Sequence, residues 1–317
     1  MLDALLARLT ANERLARRLT PLVRAYIRYT PLAAGKRWFW HRVVNPYFAW
    51  QQHDFVAPTL FGSKVAGNTR DILEQYLYYF GIWEPDFTRW IGGRLRPGDT
   101  FIDVGANIGY YSLLASRLVG KSGSVIALEA SPTTFRALES NLARNRVRNV
   151  RAVNVAVSDS SGLAKVFRGP EENHGLSTVL ESESLRYHCH FECEVETAPL
   201  SAVLRDEEMR KARLIKIDVE GAEWRVIAGM GPLLYSGRTD LEVMVETSPE
   251  RLAQEGKNPT DLLKVFASAG FHAYKLENDY SPESYLPRKR AKKPARLRSP
   301  VEGEADILFS RQDAEVL

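Results

Sequence analysis

Short apolar runs recur from residue 100 onward, and helically spaced segments lie between them. The runs are FIDVG (101–105), SVIALEA (124–130), VRAVNVAV (150–157), RLIKIDVEG (213–221) and LEVMVET (241–247). The helical patterns fall at about 109–119, 132–145, 222–235 and 259–269. Strands this continuously apolar are covered on both faces, and a helix between successive strands makes them parallel neighbours. The pattern predicts an open, doubly wound α/β sheet. Two more strands, FHAYKL (271–276) and ADILFS (305–310), close the chain and are joined by a basic run. The alternation breaks at 160–212, where GLAKVFRG and CEVETAPL predict a β-hairpin insertion around the polar loop PEENHGLSTV.

Before residue 100 the pattern changes twice. Residues 1–50 read as basic amphipathic helices, interrupted at Pro21 and Pro31, that end in the aromatic cluster Trp38, Phe39, Trp40, Tyr47, Phe48 and Trp50. Residues 51–98 read as a lead-in of short strands and one or two helices, closed by the turn RPGD at 96–99. This gives a helical extension (1–50), a lead-in (51–98) and a main domain (99–317) carrying the insertion at about 160–212.

Charge follows the same division. Residues 1–50 hold nine Lys or Arg against Asp3 and Glu13, a net +7, while the whole chain is +4; the remainder is therefore −3. The positive charge belongs to the extension and to PRKRAKKPARLR at 287–298. A near-neutral body does not suit a chain that wraps nucleic acid along its length. The two basic stretches suggest peripheral contact with an anionic membrane surface. No window is long and apolar enough to span a bilayer. The first residues lack the apolar core of a signal peptide. Cys189 and Cys193 make no disulfide framework. The expected location is cytoplasmic, with the inner face of the membrane as the peripheral variant.

Ligands of open α/β sheets bind outside the carboxyl ends of the strands, so candidate chemistry is read from the strand ends. After the first run comes Asp103-Val-Gly105-Ala-Asn107-Ile-Gly109. The glycines let backbone approach a ligand, and the free N–H groups of the next helix point into the same space. A dinucleotide turn needs G-x-G-x-x-G. Here the spacing is G-x-x-x-G, and the Asp103 carboxylate suits an ammonium or sulfonium rather than a pyrophosphate. Glu129 ends the second run at the offset where an acid meets ribose hydroxyls, and Ser131, just after it, is counted with the cofactor-binding residues. Asp159, in the turn after the third run, is placed to read an adenine edge. The fourth run ends in Asp218-Val-Glu220. Two carboxylates on one face repel, which prepares a general base or holds a divalent cation. Glu246 ends the fifth run on the same rim, making Asp218 and Glu246 the expected ligands of any metal. His174, in the insertion loop, is a further candidate base.

DVGANIGYYSLLA, ALEASPTTFRALESNLARN, NVAVSD, IKIDVEGAEWRVIAG and VMVE together resemble the FkbM family of S-adenosylmethionine-dependent methyltransferases, from about residue 70 to 310. The resemblance implies a class I, Rossmann-like methyltransferase fold, mostly parallel with an antiparallel final strand. It implies O-methylation of a hydroxyl on a sugar, glycan or related natural product. Asp103 would then lie near the methionine end of the cofactor. Gly105, Asn107 and Gly109 would shape its bed, and Glu129 would take the ribose diol. Ala130 departs from the proline common there, and residues 1–50 lie outside the resemblance. Alternatives are a nucleic-acid or other small-molecule methyltransferase and, in another class, a non-catalytic module docking a membrane or partner. A nicotinamide oxidoreductase is disfavoured by the turn spacing.

Overall fold

A computed structural model describes residues 6, 11–30, 35–49, 51–170, 172–286 and 292–317. The chain divides into two compact units, one drawn from 1–88, 171–173 and 279–291, the other from 89–170, 174–278 and 292–317.

In the first unit, helix Glu13–Tyr29 starts at Asn12, whose side chain accepts from the Leu15 N–H. Pro21 lies inside this helix rather than interrupting it. Its fixed φ suits a helix, and Pro21 is exposed, so water can serve the carbonyl that its missing N–H leaves open. Pro31 and Trp50 lie outside the described residues. Strands β1 (Asp54–Pro58) and β2 (Lys64–Asn68) form an antiparallel hairpin. Helix Ile72–Phe80 packs Tyr76, Tyr79 and Phe80 around the buried Trp40.

The second unit is built on an eight-stranded sheet. Its strands begin with β3 (Thr100–Val104), β4 (Ser124–Glu129) and β5 (Val150–Asn154). The insertion contributes β6 (Ala156–Ser158), β7 (Gly162–Arg168) and β8 (His190–Pro199). The chain continues through β9 (Ala212–Ile217), β10 (Glu242–Thr247), β11 (His272–Leu276), β12 (Ala295–Arg296) and β13 (Ala305–Ser310). The sheet order is β12-β11-β13-β10-β9-β3-β4-β5. The pairs from β10 through β5 are parallel, and β13 runs antiparallel to both β10 and β11. β3 and β4 are buried almost throughout, as two-sided strands must be. Ile102, Ile126, Ile215, Val243 and Phe309 anchor the core, with Phe266 stacked on Phe309 at 3.6 Å.

Two single runs in the sequence become two elements each. VRAVNVAV breaks at Val155: the Asn154 side chain donates to the carbonyls of Glu129 and Ala130 at 2.8 and 2.9 Å, and Ala156–Ser158 leaves to pair with β8. β6, β8 and β7 form a separate three-stranded sheet, with β7 and β8 antiparallel as the insertion pattern predicts. The helical stretch 222–235 divides into Glu223–Ala228 and Gly231–Leu234. Pro232 cannot continue a helix from the preceding turn. Gly229 also lets two backbones meet there, since a Cβ on it would lie 2.1 Å from the Ser158 carbonyl oxygen.

Candidate active site

Chain order reverses between β3 and β9, and the carboxyl ends of those strands carry the two turns of interest. On the β3 side, Gly105 and Gly109 have φ of 77° and 88°, and Asn107 joins them at 49°. Asn107 therefore occupies a left-handed position that favours glycine, a feature hidden when only the two glycines are counted. Its side chain accepts from the Ile108 N–H at 2.7 Å. A Cβ on Gly105 would lie 1.8 Å from the Asp218 carbonyl oxygen, so this glycine lets the two turns meet.

Asp103 is fully buried beneath this turn. One carboxylate oxygen accepts from the Ser112 hydroxyl at 2.6 Å, while Oδ1 has no partner. Burial raises its pKa, against the pull of the Lys216 ammonium and the Ser112 hydrogen bond. Glu129 closes the turn from β4: its oxygens accept from the N–H groups of Asn107 at 2.8 Å and Ser131 at 3.0 Å. Burial outweighs those hydrogen bonds and raises it to about 7. An unsatisfied buried acceptor at Asp103 and a second acid against the turn suit a cationic nucleoside such as S-adenosylmethionine.

Ser131 is brought to a different task. Its hydroxyl caps helix Pro132–Arg144 by accepting from the Thr134 N–H at 3.2 Å, and it donates to Glu192 of β8 at 2.7 Å. Asp159 is exposed and accepts from the hydroxyls of Ser158 and Ser160, both at 3.2 Å. His174 begins a short 3-10 turn, His174–Leu176, and its side chain lies outside the described residues.

On the β9 side the structure brings Asp218, Glu220 and Glu246 together, with one oxygen of each within 4.8 Å of the others. This adds Glu220 to the pair expected to hold a metal. Two buried cations organise the group. Lys216 sits beside Asp103 in the β3–β9 register and reaches Asp218 at 2.8 Å. Arg251, at the start of helix Pro249–Gln254, binds Glu220 at 2.5 Å and lies 3.8 Å from Glu183 of the insertion. Burial would raise Asp218, but Lys216, a hydrogen bond with Glu246 and Arg251 hold it below the ordinary carboxylate range. Glu220 is the reverse case: burial exceeds the effect of Arg251 and pushes it up to about 8. Glu246 is raised well above the ordinary range by burial, then by Asp218 and Glu220. Glu220 also holds a left-handed φ of 53°, and the insertion seals that turn through the Thr178 hydroxyl, which donates to the Glu220 carbonyl at 2.8 Å.

Sequence reasoning did not assign roles to Lys216, Arg251 or Glu192. Lys216 was legible from its parity with Asp218 along one strand. Arg251 and Glu192 come from distant segments, and no local spacing announces them.

A mostly parallel sheet reversed at its centre, with a reversed strand between β10 and β11 and an acid-flanked glycine turn at the switch point, is the class I methyltransferase fold. Residues 103–273, more than half of the chain, match the family model described as the methyltransferase FkbM domain, and the chain belongs to that family. It is 32% identical over 163 residues to the 31-O-demethyl-FK506 methyltransferase FkbM of Streptomyces tacrolimicus, covering 44% of this chain and 62% of that protein. It is 26% identical over 200 residues to the hexuronic acid methyltransferase AglP of Haloferax volcanii, covering 62% of this chain and 78% of that one. The match thus spans under two thirds of the first relative's length. A crystal structure of methyltransferase FkbM from Methylobacillus flagellatus KT aligns with 13% identity and a TM-score of 0.40 over 75% of this chain and 55% of that one.

Proposed function

We propose that the protein is an S-adenosylmethionine-dependent O-methyltransferase whose acceptor is a hydroxyl of a sugar, glycan or related natural product. The observation that carries this reading is the fully buried Asp103 with its unpartnered Oδ1 beneath a turn of left-handed residues closed by Glu129. When bound, S-adenosylmethionine supplies a methyl group on a positively charged sulfur. Asp103 offers its free oxygen to the methionine end, and Glu129 offers lone pairs to the ribose hydroxyls. Fixing cofactor and acceptor in line can supply about 7–11 kcal/mol of a barrier in the best cases.

Asp218 is the best-placed base. Lys216 keeps it ionised at neutral pH, so it can accept a hydrogen bond from the acceptor hydroxyl and would take its proton as the methyl–sulfur bond of the cofactor gives way to the new oxygen–carbon bond, with the neutral thioether as leaving group. Glu220 is held by Arg251 and serves to shape the turn. A base of this kind contributes about 10²–10⁴-fold. A divalent ion at Asp218, Glu220 and Glu246 is not needed for these steps. The deciding measurement is calorimetric titration with S-adenosylhomocysteine alongside Glu129→Ala. Micromolar binding, weakened at least about tenfold in the variant, supports the reading. Absence of binding by folded protein sinks it.

A second reading concerns the first unit. Among its described residues, helix Glu13–Tyr29 leaves Arg14, Arg17, Arg18, Leu22 and Tyr29 exposed, a mixture that suits an anionic bilayer surface. No helix among the described residues is long and apolar enough to cross a membrane. Residues 287–291 of the second basic run lie outside the described residues. Co-sedimentation with phosphatidylserine vesicles tests this contact, and equal recovery with neutral vesicles argues against it.

A further inference from the structure

Glu192 lies on an inserted strand, yet both of its oxygens are committed to the helix that follows Glu129. Its Oε2 accepts from the Ser131 hydroxyl at 2.7 Å and its Oε1 from the Thr133 N–H at 3.0 Å. The strand is shaped to deliver it. Register between β7 and β8 passes from Val166 opposite Cys193 to Phe167 opposite Phe191, so Glu192 is the extra residue of a β-bulge. A bulge re-aims a side chain that a regular ladder would point elsewhere. Glu194, two residues on, stays in register opposite Lys165 and is exposed. Burial acts to raise the Glu192 carboxyl, but hydrogen bonds from Thr133 and Ser131, with the charge of Arg168 on β7, hold it below the ordinary range. It is therefore an anion at neutral pH.

Two carboxylates thus share the first turn of one helix. The N–H groups at a helix start have no partner within the helix and attract anions. Here they are divided. Glu129 takes the Ser131 N–H at 3.0 Å and reaches across to the Asn107 N–H at 2.8 Å, while Glu192 fills the Thr133 N–H. The Ser131 hydroxyl serves the Thr134 N–H. Once filled, the Thr133 N–H does not compete for Glu129. We propose that Glu192 is a positioning residue for cofactor binding: by occupying the start of helix Pro132–Arg144, it keeps the Glu129 carboxylate bridging Ser131 and Asn107, where it meets the ribose hydroxyls of S-adenosylmethionine. This rests on the methyl-transfer reading above and adds the residue that holds the ribose acid in place. It gives the insertion a part on the cofactor side. On the other side of the switch point, Thr178 already holds the Glu220 carbonyl and Glu183 lies against Arg251.

The test is calorimetric titration of the full-length protein with S-adenosylhomocysteine. Wild type is compared with Glu192→Gln, Glu192→Asp and Glu192→Ala, and Glu194→Ala is the control on the same strand. Glutamine keeps the reach and an oxygen for Thr133 but gives up the charge. Aspartate keeps the charge but falls one methylene short. Glu192→Gln should bind within about threefold of wild type, Glu192→Asp more weakly, and Glu192→Ala about tenfold more weakly than wild type, the scale of one hydrogen bond. Glu194→Ala should match wild type. The pH profile is a readout that a helix cap alone would not move. In Glu192→Ala the vacated Thr133 N–H is open to Glu129 and favours its ionised form. The other charges acting on Glu129, Asp103 on β3 and Lys216 on β9, are unchanged. The pH at which affinity rises, about 7 in the wild type, should therefore fall in that variant. Three results overturn the inference. One is a Glu192→Ala protein that loses stability but keeps wild-type affinity and pH profile. Another is Glu192→Asp binding like wild type while Glu192→Gln does not, which would assign the effect to charge alone. The third is Glu194→Ala weakening binding as much as Glu192→Ala. If Glu192→Ala does not fold, the order of Glu192→Gln and Glu192→Asp decides. Wild type that does not bind defeats the methyl-transfer reading itself, whereas wild type that binds, with any of the three results, defeats only this inference.

Discussion

The two turns at the switch point hold their ligands by different means. The β3 turn is made of backbone: Gly105, Asn107 and Gly109 take left-handed conformations, and Glu129 receives two of the nearby amide N–H groups. The β9 turn is made of charge: Glu220 and Gly221 are left-handed too, at 53° and 110°, but what fixes the site is Lys216 on Asp218 and Arg251 on Glu220. A backbone site fails when something bulky enters. A charge site fails when one partner is removed and the other stays buried. The two halves should therefore be sensitive to different substitutions, even though their backbones meet at Gly105 and Asp218.

The largest expected effect is on the charged half. Arg251→Met leaves Glu220, Glu183 and Glu246 without their shared cation, and removing one partner of a buried pair costs about 3–5 kcal/mol. Urea denaturation measures this directly. A loss below about 1 kcal/mol, the level of a surface pair, would show that Arg251 does not hold the cluster. Next comes the backbone half. Gly105→Ala combines a left-handed residue, costing about 1–2 kcal/mol, with a Cβ 1.8 Å from the Asp218 carbonyl oxygen. The expected total is about 3 kcal/mol once overpacking is included, together with weaker S-adenosylhomocysteine binding. Retention of both would mean the turns separate freely.

The same contrast explains what the sequence discloses. A backbone site needs its special residues consecutively, so Asp103 to Gly109 is readable as a turn and Glu129 by its offset. The strands are equally plain, because burial on both faces writes itself as continuous apolar runs. The break at Val155 is not, since it depends on Asn154 reaching carbonyls of another strand. Pro21 misleads in the other direction: its exposed position lets the helix run through a residue that usually stops one. The charged site is half readable. Asp218, Glu220 and Glu246 sit at strand ends and are found there, while Arg251 belongs to a helix after β10 and is chosen by tertiary packing.

A mid-sized effect sharpens the backbone half by pH. Glu129 lies near 7 in the folded protein, raised from the ordinary range by burial. Ribose hydroxyls donate best to its ionised form, so S-adenosylhomocysteine affinity should rise as pH passes upward through about 7 and level off above it. Glu129→Gln should remove most of that rise. Stability moves oppositely. A carboxyl whose folded pKa is raised stabilises the fold fully below its unfolded value and loses that contribution as pH climbs to the folded one. Wild type should thus lose stability relative to Glu129→Gln between about pH 4.5 and 7. Parallel pH profiles for the two proteins would argue that Glu129 is ionised throughout and that its hydrogen bonds outweigh burial.

The smallest expected effect decides where Ser131 belongs. Its hydroxyl is occupied at both ends, by the Thr134 N–H and by Glu192. The hydrogen bond that matters to the turn runs instead from the Ser131 backbone N–H to Glu129, and an alanine keeps it. Ser131→Ala should therefore cost about 1 kcal/mol, the value of a lost N-cap, with S-adenosylhomocysteine affinity changing little. Glu192 offers an internal check. Burial acts to raise it, but hydrogen bonds from Thr133 and Ser131 hold it below the usual carboxylate range, so the variant should return part of that depression. If Ser131→Ala instead weakens the cofactor analogue about tenfold at unchanged stability, the hydroxyl turns towards the ligand when the site is filled. The expectation from sequence would then hold, and the backbone half would include a side chain that its empty geometry assigns to the helix cap.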